Sequence, residues 1–284
     1  MKRRTFLTRL GACTAGGLLA GTDTVLSAQT QTRLGPLGIQ LWAVRHELQK
    51  DFHRTLGRLA AIGYRNVELV SWFGHFGQSA AGLGAALRDA GLRATSTHIS
   101  SGAVLLGWQR HLDDARALGV QYVVCNSFST DEVTSLDDWR ERADRFNQAG
   151  DIARRAGIWL AFHSEPDVFT SINGQIPYDV FIQRTDPQKV RMQLDTGNIM
   201  AAGRDPIEYL RRYPTRYWSF HLKDRGHPPS STDVAVGDGI GRFKELLSLI
   251  PNLEQKEFFV EFEVEEAELS LAEKSYQYLR SLNF

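Results

Sequence analysis

The chain has 284 residues, 33 of them basic and 33 acidic, and 42% are apolar. That balance excludes a disordered or fibrous chain, and without a basic excess or cluster it argues against a nucleic-acid partner. Beyond the N-terminal region no apolar run approaches the ~20 residues that a membrane span needs.

Residues 1–28 open MKRRTFLTRLGA, with Arg3 and Arg4 ahead of Thr5, Phe6 and Leu7 and a weakly apolar stretch from Leu10 to Leu26. This resembles a twin-arginine export signal, with cleavage expected after Ala28 and a periplasmic destination. That route carries proteins already folded, which suits one that acquires a metal before export. Leu10-Gly11-Ala12-Cys13 loosely matches a lipoprotein box, but Arg9 interrupts the apolar region before it, so lipidation ranks second. Removing the segment leaves one cysteine, Cys125, and no intramolecular disulfide.

Residues 29–284 alternate two kinds of segment. β-Branched and aromatic runs stand at Gly38–Trp42, Asn66–Ser71, Ala94–Ile99, Tyr122–Asn126, Ile158–His163, Val190–Asp195, Tyr217–Leu222 and Phe258–Glu263. Amphipathic stretches lie between them, among them Phe52–Ile62, Gly82–Ala90, Trp139–Ala156, Pro206–Tyr213, Ile240–Ile250 and Ala267–Leu282. Gly63 and Gly91 sit where helices stop. Eight strand-like and eight helical segments over about 250 residues predict an α/β fold, a single-domain (β/α)₈ TIM barrel. The doubly wound alternative lacks its Gly-rich phosphate turn after the first strand.

In such a barrel the site forms at the C-terminal strand ends. Strand 1 brings Gln40 and Trp42 there, strand 2 Glu68 and Trp72, strand 3 His98, and strand 4 Asn126. Strand 5 brings His163 and Glu165, strand 6 Asp195, strand 7 His221, Lys223 and Asp224, and strand 8 Glu261 and Glu263. His163 or Glu165, Asp195, His221, and Glu261 or Glu263 come from four adjacent strands. Imidazoles plus carboxylates without thiolate suit one divalent ion: Mn²⁺, Co²⁺, Fe²⁺, Zn²⁺ or Mg²⁺. Any one of these residues alone fits a strand-end salt bridge equally well; the four together favour the ion.

Met192-Gln193-Leu194-Asp195-Thr196-Gly197-Asn198, Phe220-His221-Leu222-Lys223-Asp224, Val236-Gly237-Asp238-Gly239-Ile240 and Phe259-Val260-Glu261 resemble the sugar-phosphate isomerase/epimerase family. Gly38-Ile39-Gln40-Leu41-Trp42 and Asn66-Val67-Glu68-Leu69 extend the resemblance over nearly the whole chain after residue 28. The resemblance implies the xylose isomerase-like TIM barrel, one divalent metal at the barrel mouth held from strands 5 to 8, and chemistry at a carbon next to a carbonyl. Carried over by position, the ligands are Asp195, His221 and Glu261 plus a group on strand 5. There the chain departs from the family's Glu-x-His or His-x-His and reads His163-Ser164-Glu165. Register gives His163 the metal and leaves Glu165 as the base. The reverse assignment, with Glu165 on the metal, remains the alternative, as does Glu263 in place of Glu261.

The ion then acts as a Lewis acid on a carbonyl and its neighbouring hydroxyl, and Glu165 or Glu261 moves the α-proton. A like-charged neighbour and burial are expected to raise the base toward neutrality. Epimerisation, isomerisation and β-elimination, for instance on a 3-keto-glycoside, all follow from one carbanion. Lys223 neutralises a phosphate or an enolate, or pairs with a nearby carboxylate such as Asp224 or one beside Asp195. His98 bonds a substrate hydroxyl or sits satisfied in the core. Gln40, Trp42, Glu68 and Trp72 are candidate substrate contacts, and His227–Ser231 is a candidate lid. Export points to a small-molecule sugar without phosphate, with no membrane contact after signal removal and an oligomer possible. Two other readings compete. A metal-dependent hydrolase on this barrel wants more His and Asp ligands, and a non-catalytic sugar binder has no need of the metal set.

Overall fold

Eight strands, each followed by a helix, close on themselves in the computed structural model, which describes residues 34–128 and 132–283 without the side chains of Trp72 and Phe73. The export reading of residues 1–28 and the side chain of Trp72 therefore lie outside the described residues. In chain order the units are β1 Gly38–Gln40 and α1 Phe52–Ile62, β2 Asn66–Val70 and α2 Ala80–Asp89, β3 Arg93–Ile99 and α3 Trp108–Leu118, and β4 Tyr122–Cys125 and α4 Leu136–Arg155. They continue with β5 Trp159–His163 and α5 Pro177–Arg184, β6 Val190–Asp195 and α6 Pro206–Arg212, β7 Tyr217–Leu222 and α7 Phe243–Ser248, and β8 Glu257–Val260 and α8 Glu268–Ser281. All neighbours pair in parallel, and β1 closes the ring on β8 through Gly38 opposite Phe259. Among the described residues no helix is long and apolar enough to cross a membrane.

The local causes are readable. Parallel strands covered on both faces read as continuous apolar runs, and Leu160-Ala161-Phe162 is buried throughout. Phe162 points outward into a cluster with Phe128, Trp139 and Phe181 under α4 and α5, its ring 4.3 Å from that of Phe181. Each such ring stabilises the outer layer by roughly 1.5–3 kcal/mol. Helix α4 starts on a capping box: Ser135 Oγ accepts from Asp138 N at 3.2 Å, and Asp138 Oδ2 accepts from Ser135 N at 2.8 Å. Its Gly150 lets the helix lie against the chain entering β6, since a Cβ there would stand 2.5 Å from the Lys189 carbonyl oxygen. At the N-terminal end of the barrel the Arg191 guanidinium is sandwiched between Trp159 at 3.4 Å and Trp218 at 3.6 Å.

After β7 the chain turns back on itself, with Asp224–Arg225 antiparallel to Asp233–Val234. The buried Asp224 carboxylate accepts N–H bonds from Gly237 at 2.9 Å, Gly239 at 3.0 Å and Gly241 at 2.8 Å. A Cβ at Gly239 would collide with the Arg225 backbone, so the Gly-x-Gly motif is the close-approach surface of this carboxylate nest.

Three expectations need correcting. Strand β1 ends at Gln40, and Trp42 lies in the 3₁₀ turn Leu41–Val44, where Arg45 stacks 4.6 Å from its ring centroid. Strand β8 ends at Val260 opposite Leu222, so Glu261 and Glu263 stand beyond the ladder. Lys223 does not pair with Asp224, because the glycine loop has taken that carboxylate; its partners are Glu261, Glu263 and Asp233.

Gly150→Ala is expected to lower stability by about 1–3 kcal/mol through overpacking against Lys189. Urea unfolding should show a lower midpoint at unchanged slope; an unchanged midpoint contradicts the close packing of α4.

Candidate metal centre

Strand register stacks two polar layers inside the mouth. Asp195 pairs with His221, Gln193 with Ser219, Glu68 with Ser96 and Gln40 with Glu68. Side chains two apart on a strand share a face. Gln193 therefore stands below Asp195, Ser219 below His221, and Ser96 below His98. TIM-barrel interiors are ordinarily filled by Val, Ile and Leu; here the layer beneath the mouth is polar.

The lower layer is fully engaged. Glu68 is 0% exposed. Its carboxylate faces Gln40 Nε2 at 3.2 Å, Gln193 Nε2 at 2.9 Å, Ser96 Oγ at 2.5 Å, His98 Nε2 at 3.1 Å and His221 Nε2. Gln193 gives its Oε1 to His98 Nε2 at 2.7 Å, and its Nε2 also donates to Ser219 at 2.9 Å. Burial opposes the charge on Glu68, but His98 and His221 outweigh it and hold the carboxyl well below its usual range.

The upper layer is different. His221 Nδ1 lies 3.5 Å from both Asp195 Oδ2 and Glu261 Oε2, and His163 Nε2 lies 3.3 Å from Asp195 Oδ2. Yet His221 Nδ1 is buried without a hydrogen-bond partner. A buried polar atom left unpaired is costly, and this one stands between Asp195 and Glu261, whose Oε2 also has Lys223 Nζ at 3.2 Å. Ligand atoms about 2.1 Å from a tetrahedral ion are roughly 3.4 Å apart, which is the spacing seen. The donor set also suits a divalent ion. Two residue trios have ligand atoms close enough for an ion, His163–Asp195–His221 and Glu68–His98–His221. The open His221 Nδ1 faces Asp195 of the first, with Glu261 beside it, whereas hydrogen bonds already occupy the second.

Burial disfavours the charge on His163, but hydrogen bonds to Asp195 and Glu165 push its pKa up to about 9. Burial likewise opposes Asp195, which Lys223, His163 and His221 hold well below the usual carboxylate range. Lys223 is buried, but Glu261 and Asp195 keep it charged and raise it further.

Glu165 follows the end of β5 with 37% of its side chain exposed. Its Oε1 stands 3.4 Å from His163 Nδ1, and its Oε2 accepts from Asn198 Nδ2 at 3.0 Å. The expected upward shift is not found at Glu165. Burial pushes its pKa up, but the bond and charge of His163 push it down further, so it is ionised at neutral pH. A cleft of about 610 Å³ is lined by Glu165, Asn198, Lys223 and Glu263.

The structure thus brings together His163, Asp195, His221 and Glu261, with Glu165 and Lys223 on the cleft side. Gln40, Glu68 and His98 lie beneath them, buried. Glu263 is 53% exposed at the rim and bonds Lys223 at 2.6 Å. Trp42 is half-buried in its 3₁₀ turn. Sequence reading missed Gln193, Ser96, Ser219 and Asn198. The first three were findable as the residues two before Asp195, His98 and His221. Asn198 was findable as the third residue of the helical turn capped by Asp195, whose Oδ1 accepts its N–H at 2.8 Å.

A family model for the xylose isomerase-like TIM barrel matches residues 56–282. A sugar phosphate isomerase/epimerase from Parabacteroides distasonis ATCC 8503 is 26% identical with a TM-score of 0.77, covering 92% of this chain and 97% of that one. The zinc-bound IolI protein shares the fold at 16% identity and a TM-score of 0.67, over 86% of this chain and 95% of that one. Inosose dehydratase 2 of Bacillus cereus is 24% identical over 149 residues, 47% of this chain and 49% of the relative. The chain therefore spans about half the length of that curated relative.

His163 carries a pH signature in the chelator-treated protein. Its folded pKa of about 9 lies above the ordinary 6.5. Its stabilisation is therefore complete below the unfolded value and lost as pH rises through the folded one, by about 2–3 kcal/mol. Unfolding midpoints should fall from pH 6.5 to pH 9, and His163→Gln should flatten that slope. A slope that His163→Gln leaves intact contradicts the assignment.

Proposed function

The chain belongs to the xylose isomerase-like TIM barrel family, and from that premise we propose that it is a metal-dependent sugar isomerase or epimerase. It acts by enolisation next to a carbonyl of a non-phosphorylated sugar or keto-sugar. The observation that carries this reading is the buried His221 Nδ1, which has no hydrogen bond and lies 3.5 Å from both Asp195 and Glu261, with His163 Nε2 3.3 Å from the same Asp195 oxygen.

His163, Asp195, His221 and Glu261 would hold the ion, which supplies Lewis acidity toward a carbonyl and its neighbouring hydroxyl. Glu165 is the proton mover. It is ionised, it faces the cleft, and Asn198 fixes one of its oxygens while leaving the carboxylate free to accept a proton. Lys223 stays protonated and places fixed positive charge where negative charge develops on the substrate. Thr196 anchors the Lys223 backbone on both sides, donating to its carbonyl at 2.7 Å and accepting its N–H at 2.9 Å.

The cleft argues for an uncharged sugar. Glu165, Asp233, Glu263 and Glu265 line it against only Lys223 and Arg225. Both cations are already matched, Lys223 by Glu261 and Glu263, Arg225 by Asp233 at 3.2 Å. A phosphate would enter a net-negative cleft whose cations are paired.

Elimination is the second reading, favoured by the partial likeness to inosose dehydratase. The same carbanion expels a group β to the carbonyl, so Glu165 and Lys223 keep their roles. Export through residues 1–28 to the periplasm remains part of the proposal, since it also separates the protein from cytoplasmic sugar phosphates.

Purified protein should contain close to one divalent ion per chain by elemental analysis, and Asp195→Ala and His221→Ala should abolish that content. Incubated with keto-sugars in D₂O, the wild type should exchange carbon-bound hydrogen next to the carbonyl. Glu165→Gln should slow exchange by roughly 10²-fold or more while keeping the ion. A metal-free wild type, or exchange unaffected by Glu165→Gln, contradicts the proposal.

A further inference from the structure

We propose that Glu68 is a positioning residue for the metal. From inside the barrel its carboxylate holds the Nε2–H of His221, so that His221 Nδ1 turns its lone pair to the mouth. This rests on the metal reading above and adds a residue outside the ligand set which that reading assigns.

The proton positions follow from the neighbours. Gln193 must present Oε1 to His98 and its amide nitrogen to Glu68 and Ser219, because Glu68 only accepts. His98 Nε2 therefore carries a proton, shared between Gln193 Oε1 at 2.7 Å and Glu68 Oε1 at 3.1 Å. Gln40 Nε2 donates to Glu68 at 3.2 Å, so the Gln40 nitrogen 3.4 Å from His221 Nε2 is not an acceptor. The only acceptor within reach of His221 Nε2 among these groups is Glu68 Oε1. When His221 binds a cation its imidazole is neutral, with one N–H and one lone pair. With the N–H pinned downward, the lone pair sits on Nδ1, the buried atom that has no hydrogen bond and that lies 3.5 Å from Asp195 and from Glu261.

The environment of Glu68 supports this role over that of a substrate contact. Its side chain is fully buried, and its partners are all donors, drawn from β1, β2's neighbour β3, β6 and β7. None of these hydrogen-bond partners lines the cleft. The ring of His221 is also stacked on that of His98 at 5.1 Å and 14° between planes, so its rotation is blocked while its proton is fixed. Carboxylates behind metal-binding histidines set tautomer and ring orientation and raise ligand basicity, and losing one costs about 10–100-fold in metal affinity.

The test uses the full chain with Zn²⁺ as the probe. Zinc affinity is measured by competition with a chromophoric chelator for wild type and Glu68→Gln, and imidazole ¹⁵N shifts are recorded for the zinc-loaded wild type. The expected results are affinity about 10–100-fold weaker in Glu68→Gln, and His221 with zinc on Nδ1 and the proton on Nε2. If Glu68→Gln fails to fold, the wild-type spectrum decides alone. Zinc on Nε2 of His221, or Glu68→Gln binding within about threefold of wild type, overturns the proposal while leaving the metal reading intact. A wild type that takes up no zinc overturns the metal reading and this inference with it.

Discussion

A carboxylate inside a closed β-barrel stays charged only if donors surround it. Glu68 meets that condition through Gln40, Ser96, His98, Gln193 and His221. That network replaces one apolar layer of the barrel and fixes the floor of the site. Everything above it, including the face His221 turns to the mouth, depends on that floor being fully paired. The contrast between the layers is the main physical finding: saturated hydrogen bonding below, and above it a cluster of buried ligand groups in which His221 Nδ1 has no hydrogen bond. Unpaired buried polar groups persist in proteins where something else completes them, and the chemistry of this set matches a divalent cation.

Charge organises the rest of the mouth. Lys223 is buried among Glu261, Glu263 and Asp233. Asp233 in turn accepts the Glu263 backbone N–H at 2.8 Å and pairs with Arg225. The antiparallel turn after β7 is thereby tied to the segment after β8. Asp224 anchors the other side of that turn through three glycine N–H groups. The excursion that the sequence suggests as a lid is thus fastened at its base, with exposed residues only toward its tip.

Much of this was legible in the sequence, for stated reasons. Strands buried on both faces wrote themselves as apolar runs, so β6 and β7 match their expected limits residue for residue. Ligand candidates at four successive strand ends needed only the barrel's closure to meet. Depth was not legible. Glu68 and His98 looked like mouth residues because strand ends are easy to see while strand stagger is not. The β2–β3 register shifts between Val67 and Glu68, which no local pattern announces. Nor could spacing show that Asp224 serves the glycine loop rather than Lys223, since that depends on a long turn folding back. The Glu165 pKa ran opposite to expectation because the nearest charge is His163 rather than another carboxylate.

The central claim is the position of one divalent ion, and anomalous diffraction from crystals grown with Zn²⁺ locates it directly. The account predicts a single strong peak at the mouth within bonding distance of His163, Asp195, His221 and Glu261, on the Nδ1 side of His221. A peak between Glu68, His98 and His221, or no peak inside the barrel, would contradict it.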